Sequence, residues 1–229
     1  MFKIFLSSKF KNVDDIIKPS LGLCRINFIQ QDLITTDPLD LYMPGQFKYG
    51  CPALIDVSKI PHHTHSGRVN IDRILQLFHA ATGYGCQVGT TRLWPSSTKK
   101  IGPEEVQHAV SMLFEQDKRG KPELYKSIQF TVCWAHPFTT VWADWTAGIQ
   151  RALSSARHKL LPAYAELAVA YHPSCTMRGK IVNLDQLIWM LREVHAAGYD
   201  GAIINSPYDV ALPSDCWEAF INMLNQINE

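Results

Sequence analysis

Short apolar runs rich in β-branched residues alternate with amphipathic stretches of helical period along most of this chain. The strand-like runs from residue 53 onward are Ala53–Val57, Gln87–Trp94, Ile128–Trp134, Leu167–Tyr171 and Ala202–Asn205. Between them, apolar residues recur at helical spacing. Ile71, Ile74, Leu75 and Phe78 follow Asn70, a good N-cap, and Val106, Ala109, Val110, Leu113 and Phe114 follow Gly102-Pro103. Trp142, Trp145, Ile149, Ala152, Leu153 and Ala156 form a third apolar face. The fourth has complete punctuation: Asn183 as cap, Gln186 three residues on, a stripe of Leu184, Leu187, Ile188, Leu191 and Val194, and Gly198 as the stop. Ser214 opens a last helix with Trp217, Phe220, Ile221 and Leu224 on its inner face.

Continuous apolar strands alternating with helices predict a parallel sheet covered by helices. The first fifty residues are less regular. Phe2–Leu6, Cys24–Ile29 and Leu39–Met43 read as strands, which brings the expected total to eight. Eight strands suit an irregular, compact (β/α)8 TIM-like barrel, for which about 250 residues is typical. A doubly wound open parallel sheet is the alternative. With no low-complexity linker and no internal repeat, residues 1–229 are assigned to a single α/β domain.

Composition narrows the function classes. The chain is 46% hydrophobic, and 22 Lys+Arg against 21 Asp+Glu leave a net charge of +1. That balance supports a large core and provides no electrostatic footprint for nucleic acid or an anionic membrane surface. The N-terminal MFKIFLSSKF is too short in apolar residues for a signal peptide, and no run approaches membrane-spanning length. A soluble, cytoplasmic protein is expected. The six cysteines are scattered without a C-x-x-C pair and read as reduced, mostly buried thiols.

Four strand candidates close on a proline: Leu93-Trp94-Pro95, Ala135-His136-Pro137, Tyr171-His172-Pro173 and Asn205-Ser206-Pro207. Proline cannot continue the ladder, so each marks a strand's C-terminal end, where parallel α/β folds collect their working residues. Trp94, Trp134, His136, Tyr171, His172 and Asn205 are therefore expected to rim one pocket. Aromatic faces beside polar tips suit a glycan or another small-molecule ligand. Carboxylates near strand ends are sparse, being Asp56 and Asp209; Glu166 and Asp200 are placed at the N-terminal side of their strands, with structural roles. The prolines also have a plainer reading, in which they only end strands and the aromatics complete the core.

The histidines raise a competing chemistry. His63 and His65 form an H-x-H, and His136, His172 and Asp209 follow in order. Neutral imidazoles with a carboxylate bind zinc and related divalent ions, and this order resembles the metal-dependent amidohydrolase barrels. In that family the H-x-H ends the first strand; here it follows a middle strand, in a loop containing Pro61. Histidines within the helical stretches, among them His195, read as surface or packing residues. There is no G-x-S-x-G elbow and no G-x-x-x-x-G-K-[ST] loop. Cys133 stands near His136, but it reads as a small buried hydrophobe within its strand.

The segment Ile149-Gln150-Arg151-Ala152-Leu153, then Leu161-Pro162-Ala163-Tyr164, Tyr171, Ala196-Ala197-Gly198, Gly201-Ala202-Ile203-Ile204-Asn205-Ser206 and Cys216, is similar to the C-terminal barrel strands of hyaluronidase-type glycosidases. Ala53-Leu54-Ile55-Asp56 resembles the strand that carries that family's D-x-E motif. The resemblance covers about a third of the chain and implies a TIM barrel. It also implies that Asp56 matches the residue positioning the substrate's acetamido group. The family's general acid, the Glu of D-x-E, is Ser58 here, and Asn205 stands where a tryptophan is usual. A serine cannot act as a tuned carboxylic acid, so either the acid comes from elsewhere or the domain binds glycans without cleaving them.

Three readings follow. The first is a carbohydrate-active barrel protein needing no cofactor, glycosidase-like if it is an enzyme, with Asp56, His136 and His172 as catalytic candidates. In it Trp94, Trp134, Tyr171, Asn205 and Asp209 contact the ligand. The second is a metal-dependent hydrolase that holds a divalent metal such as zinc on His63, His65, His136, His172 and Asp209. The third is a non-catalytic binding or assembly protein on the same scaffold.

Overall fold

The computed structural model describes residues 1–30, 48, 50–56, 81–83, 85–91, 129–137, 141–157, 161–170, 180–206 and 211–229. The strands are β1 (Lys3–Ser7), β2 (Leu23–Gln30), β3 (Ala53–Asp56), β4 (Val88–Thr91), β5 (Phe130–Trp134), β6 (Ala163–Ala168) and β7 (Gly201–Asn205). All pairings are parallel, and β7 pairs back onto β1, so the ring closes on seven strands. This is a TIM-like barrel, with seven strands among the described residues where eight were expected. The expected strand Leu39–Met43 lies outside the described residues, as do the helices expected after Asn70 and after Pro103.

Alternation along each strand separates two cores. Phe5, Ile26, Leu54, Phe130, Val132 and Ile203 fill the barrel interior. Their immediate neighbours, such as Ile4, Leu6, Cys133, Ala165, Ala202 and Ile204, face outward into the larger core beneath the helices. Both faces of the strands are thus covered, which explains why they read as unbroken apolar runs. Full burial of each large apolar side chain stabilises the fold by about 1.5–3 kcal/mol.

The α-helices whose bounds are described are α1 (Val13–Ile16), α2 (Trp142–Arg157), α3 (Leu184–Ala197) and α4 (Ser214–Asn228). The punctuation of α3 is as its sequence predicts. Asn183 Oδ1 accepts from Gln186 N at 2.8 Å, and Gly198 ends the helix at φ 91°, a left-handed conformation costly for other residues. Leu187, Leu191 and Val194 from the predicted stripe are buried, together with Met190. Helix α4 starts at Ser214, with Pro213 before it and no side-chain cap. No helix among the described residues is long and apolar enough to cross a membrane.

Ring closure relies on one close backbone approach. At Gly201, in register with Lys3, a side chain would collide with the Lys3 carbonyl oxygen. Asn228 of α4 then clamps the chain's beginning, accepting from Phe2 N at 2.8 Å and donating to Phe2 O at 3.2 Å. Asn12 makes the same two-way contact with Leu212, at 2.9 and 3.0 Å.

A polar cluster at the C-terminal half of the barrel

Strand β6 carries a carboxylate where apolar residues would be expected. Its six residues alternate between the two cores: Ala163, Ala165 and Leu167 face the helices, while Tyr164 packs with the interior cluster. Glu166 shares the parity of Tyr164 and is fully buried. Its Oε1 accepts from Asn205 Nδ2 at 2.9 Å and lies 3.2 Å from His136 Nε2. Burying a lone carboxylate would be strongly unfavourable; two donors on one oxygen make it tolerable. Against an ionised Glu166, which can only accept, His136 Nε2 is the ring nitrogen that must hold the proton.

The partners arrive from the strands on either side. β5 lies beside β6 with Trp134 in register with Glu166, and His136 follows two residues later. β7 lies on the other side with Ile203 in register with Glu166, and Asn205 is its last residue. Asn205 is itself fixed, since its Oδ1 accepts from Ser206 N at 2.9 Å. Trp145 of α2 holds the end of β5: its indole Nε1 donates to Ala135 O at 3.1 Å. Asn205, Ser206 and Ser7 are almost fully buried, and His136 retains 7% exposure. Of the three linked side chains, His136 is therefore the one that reaches furthest toward solvent.

The expected placement of Glu166 needs correction. The strand runs Ala163–Ala168 instead of Leu167–Tyr171, so Glu166 is its fourth residue, inside the barrel, and not at the N-terminal side. The charged residue interrupts the apolar run that otherwise marks a strand in the sequence. The readable signal was Ala163-Tyr164-Ala165-Glu166-Leu167-Ala168 as a whole, in which a carboxylate flanked by small and apolar residues implies burial with partners. Asp200 does lie at the N-terminal side, where its Oδ2 accepts from Ala163 N at 2.9 Å.

Of the expected rim residues, the structure joins His136 and Asn205 through Glu166. Asp56 ends β3, in register with Gln30 and Thr91, and Trp134 ends β5, in register with Glu166. Trp94, Tyr171, His172, Asp209, His63 and His65 lie outside the described residues. Among the described residues no three His, Cys, Asp or Glu side chains converge in a manner that would hold a metal ion.

Cys133 points away from this cluster, into the core beneath the helices, where burial pushes its thiol up to about 12. The Tyr199 hydroxyl beside it donates to Ile149 O at 2.7 Å, and burial likewise raises that phenol well above its usual value. Among the described residues, Cys24, Cys51, Cys86, Cys133 and Cys216 are thiols outside any disulfide. His195 of α3 packs edge-on against Phe2, with ring centroids 5.2 Å apart.

No known family's sequence profile matches this chain, and no curated protein is similar to it in sequence. Solved structures do share its fold. Bee venom hyaluronidase, in complex with a hyaluronic acid tetramer, superposes with a TM-score of 0.59 at 9% identity, over 100% of this chain and 97% of the other. A Schiff-base-forming fructose-1,6-bisphosphate aldolase gives 0.53 at 10% identity, covering 99% and 94%. An archaeal fructose 1,6-bisphosphate aldolase gives 0.52 at 10% identity, covering 97% and 92%. The closed parallel ring and these likenesses make this a TIM-barrel protein with a structural resemblance to hyaluronidase-type barrels.

Proposed function

We propose that this chain is a carbohydrate-active TIM-barrel protein, working as a glycoside hydrolase, with its polar centre on Glu166, His136 and Asn205. The observation that carries the reading is the fully buried Glu166 carboxylate held between His136 and Asn205 at the C-terminal ends of adjacent strands. That is the end of the barrel where TIM-barrel chemistry is built.

In this reading His136 carries the proton. Glu166 fixes the imidazole's orientation and stabilises its charged form, the role a buried carboxylate plays beside a catalytic histidine. Asn205 fills the second donor position on Glu166 and stiffens the pair. Asp56, at the end of β3, is the carboxylate candidate at a strand end among the described residues and would orient the ligand. The acid that Ser58 cannot supply is then sought in the His136–Glu166 pair.

Bee venom hyaluronidase is in complex with a hyaluronic acid tetramer, so hyaluronic acid fragments are the first ligands to test. The experiment is a glycosidase panel together with a glycan array, run on the wild type and on His136→Ala and Glu166→Gln. Hydrolysis that falls by about 10²–10⁴-fold in His136→Ala, with binding retained, supports the reading. Glycan binding without hydrolysis, lost in both variants, replaces the hydrolase by a catalytically silent glycan-binding relative. Blank results on both panels overturn it.

A further inference from the structure

At the opposite, N-terminal end of the barrel, two turns meet back to back. Gly50 and Gly85 both adopt positive φ, 74° and 73°. A Cβ on Gly85 would stand 3.9 Å from Gly50 Cα, so the two turns lie close enough for a side chain on one to touch the backbone of the other. Each glycine is followed directly by a cysteine, Cys51 and Cys86.

The strand register brings these cysteines level. Ala53 of β3 pairs with Val88 of β4, and Cys51 and Cys86 each stand two residues before those partners. Neighbouring strands run about 4.7–4.9 Å apart, within the roughly 4.4–6.8 Å between Cα atoms that a disulfide spans. One side chain touches both residues: Asn27 Nδ2 lies 3.9 Å from Cys86 Sγ and 3.4 Å from Cys51 O. The same amide donates to Lys48 O at 2.8 Å, and Asn27 Oδ1 accepts from Lys48 N at 3.1 Å, which holds the turn before Cys51 in place. Cys51 is half-buried and Cys86 is buried.

We propose that Cys51 and Cys86 form a peroxide-responsive dithiol site that closes into a disulfide across the N-terminal ends of β3 and β4. Cys51, the more exposed, reacts first. Its thiol takes one oxygen from hydrogen peroxide to give a sulfenic acid and one water. Cys86 Sγ then attacks the Cys51 sulfur, the S–O bond breaks, and the oxygen leaves as a second water with the proton from the Cys86 thiol. Both sulfurs are oxidised and one peroxide is reduced.

The backbone N–H of Gly50 and Asn27 Nδ2 are the donors facing Cys86 Sγ, and they favour the thiolate that attack requires; burial opposes them and raises this thiol overall. Cys24 of β2 is the competing partner. In the β2–β3 register, however, Asn27 pairs with Ala53, which sets Arg25 and not Cys24 level with Cys51. The closed loop contains all of β3, including Asp56, and the whole β3–β4 connection.

The test treats the intact chain with hydrogen peroxide, blocks remaining thiols by alkylation after unfolding, and digests it without reduction. The expected result is a fall from six alkylatable cysteines to four, a Cys51–Cys86 linked peptide, and recovery of both with dithiothreitol. In Cys24→Ser the linked peptide persists; in Cys51→Ser it disappears and Cys86 remains alkylatable. A Cys51–Cys24 link, or Cys51 oxidised to the sulfinic acid while Cys86 stays alkylatable, overturns the proposal.

Discussion

His136 Nε2 stands 3.2 Å from Glu166 Oε1, and that same oxygen accepts from Asn205 Nδ2 at 2.9 Å. Three adjacent strands, β5, β6 and β7, are thereby joined through one buried carboxylate. Removing the carboxylate takes away an acceptor that two buried side chains share, whereas removing either of those side chains leaves the other in place.

Glu166→Ala should therefore cost about 1–3 kcal/mol of stability, the usual penalty for orphaned buried polar groups. Glu166→Gln, which retains an acceptor, should cost less. Urea unfolding of the two variants beside wild type checks this. Equal stability of Glu166→Ala and wild type would mean the cluster is reorganised by water.

Packing inside the barrel leads to a second expectation. Gly89 of β4 pairs with Phe130 of β5, whose ring occupies the space a Gly89 side chain would need. The same ring leans on Tyr164, with centroids 5.3 Å apart. Gly89→Ala should destabilise by about 1–3 kcal/mol through overpacking. Adding Phe130→Leu should recover part of that, so the double variant loses less than the two single losses combined. Strict additivity in chemical denaturation would show that the two positions do not compete for space.

Cys133 makes a prediction at alkaline pH. Complete burial pushes its thiol from 9.0 to about 12, a little moderated by the Tyr199 hydrogen bond. A raised folded value means the stability it contributes is intact below pH 9.0 and is lost as pH rises toward about 12. Cys133→Ala should flatten that part of the stability-against-pH curve. In the native protein at pH 8, iodoacetamide should label Cys51 and leave Cys133 unmodified; rapid labelling of Cys133 would contradict its burial.

Asp14 acts at the other end of the pH scale. It lies 2.8 Å from both Arg25 Nη1 and Lys48 Nζ. Partial burial pushes its carboxyl up, but the Lys48 hydrogen bond and the Arg25 and Lys48 charges together hold it below 3.8. The stability it contributes is present above pH 3.8 and is lost as pH falls through the lowered value. Asp14→Asn should destabilise at pH 7, and the difference from wild type should shrink as pH falls below 3.8. Because Arg25 is buried and Lys48 is half-exposed, Lys48→Ala should cost less than Asp14→Asn.

The outward-facing architecture was readable because its signals are local. Helix α3 announces itself through Asn183, an apolar stripe and Gly198, all within sixteen residues of one another. The proline after His136 and the one after Asn205 follow the described ends of β5 and β7. The start of β6 was not readable in this way, since Glu166 interrupts the apolar run that defines a strand. Its burial depends on His136, thirty residues away, and on Asn205, thirty-nine residues away.

The sequence by itself determined the parallel α/β plan, helices α2, α3 and α4, strands β5 and β7, and the polar residues at two strand ends. Those follow from periodicity, capping and proline geometry, which act over a few residues. Only the tertiary structure decided that the ring closes with seven strands and that Glu166 belongs inside it. Closure depends on the β7–β1 register and on how closely Gly201 lets the Lys3 backbone approach. A buried carboxylate is tolerable only where distant donors converge on it, and that convergence exists only after the barrel is assembled.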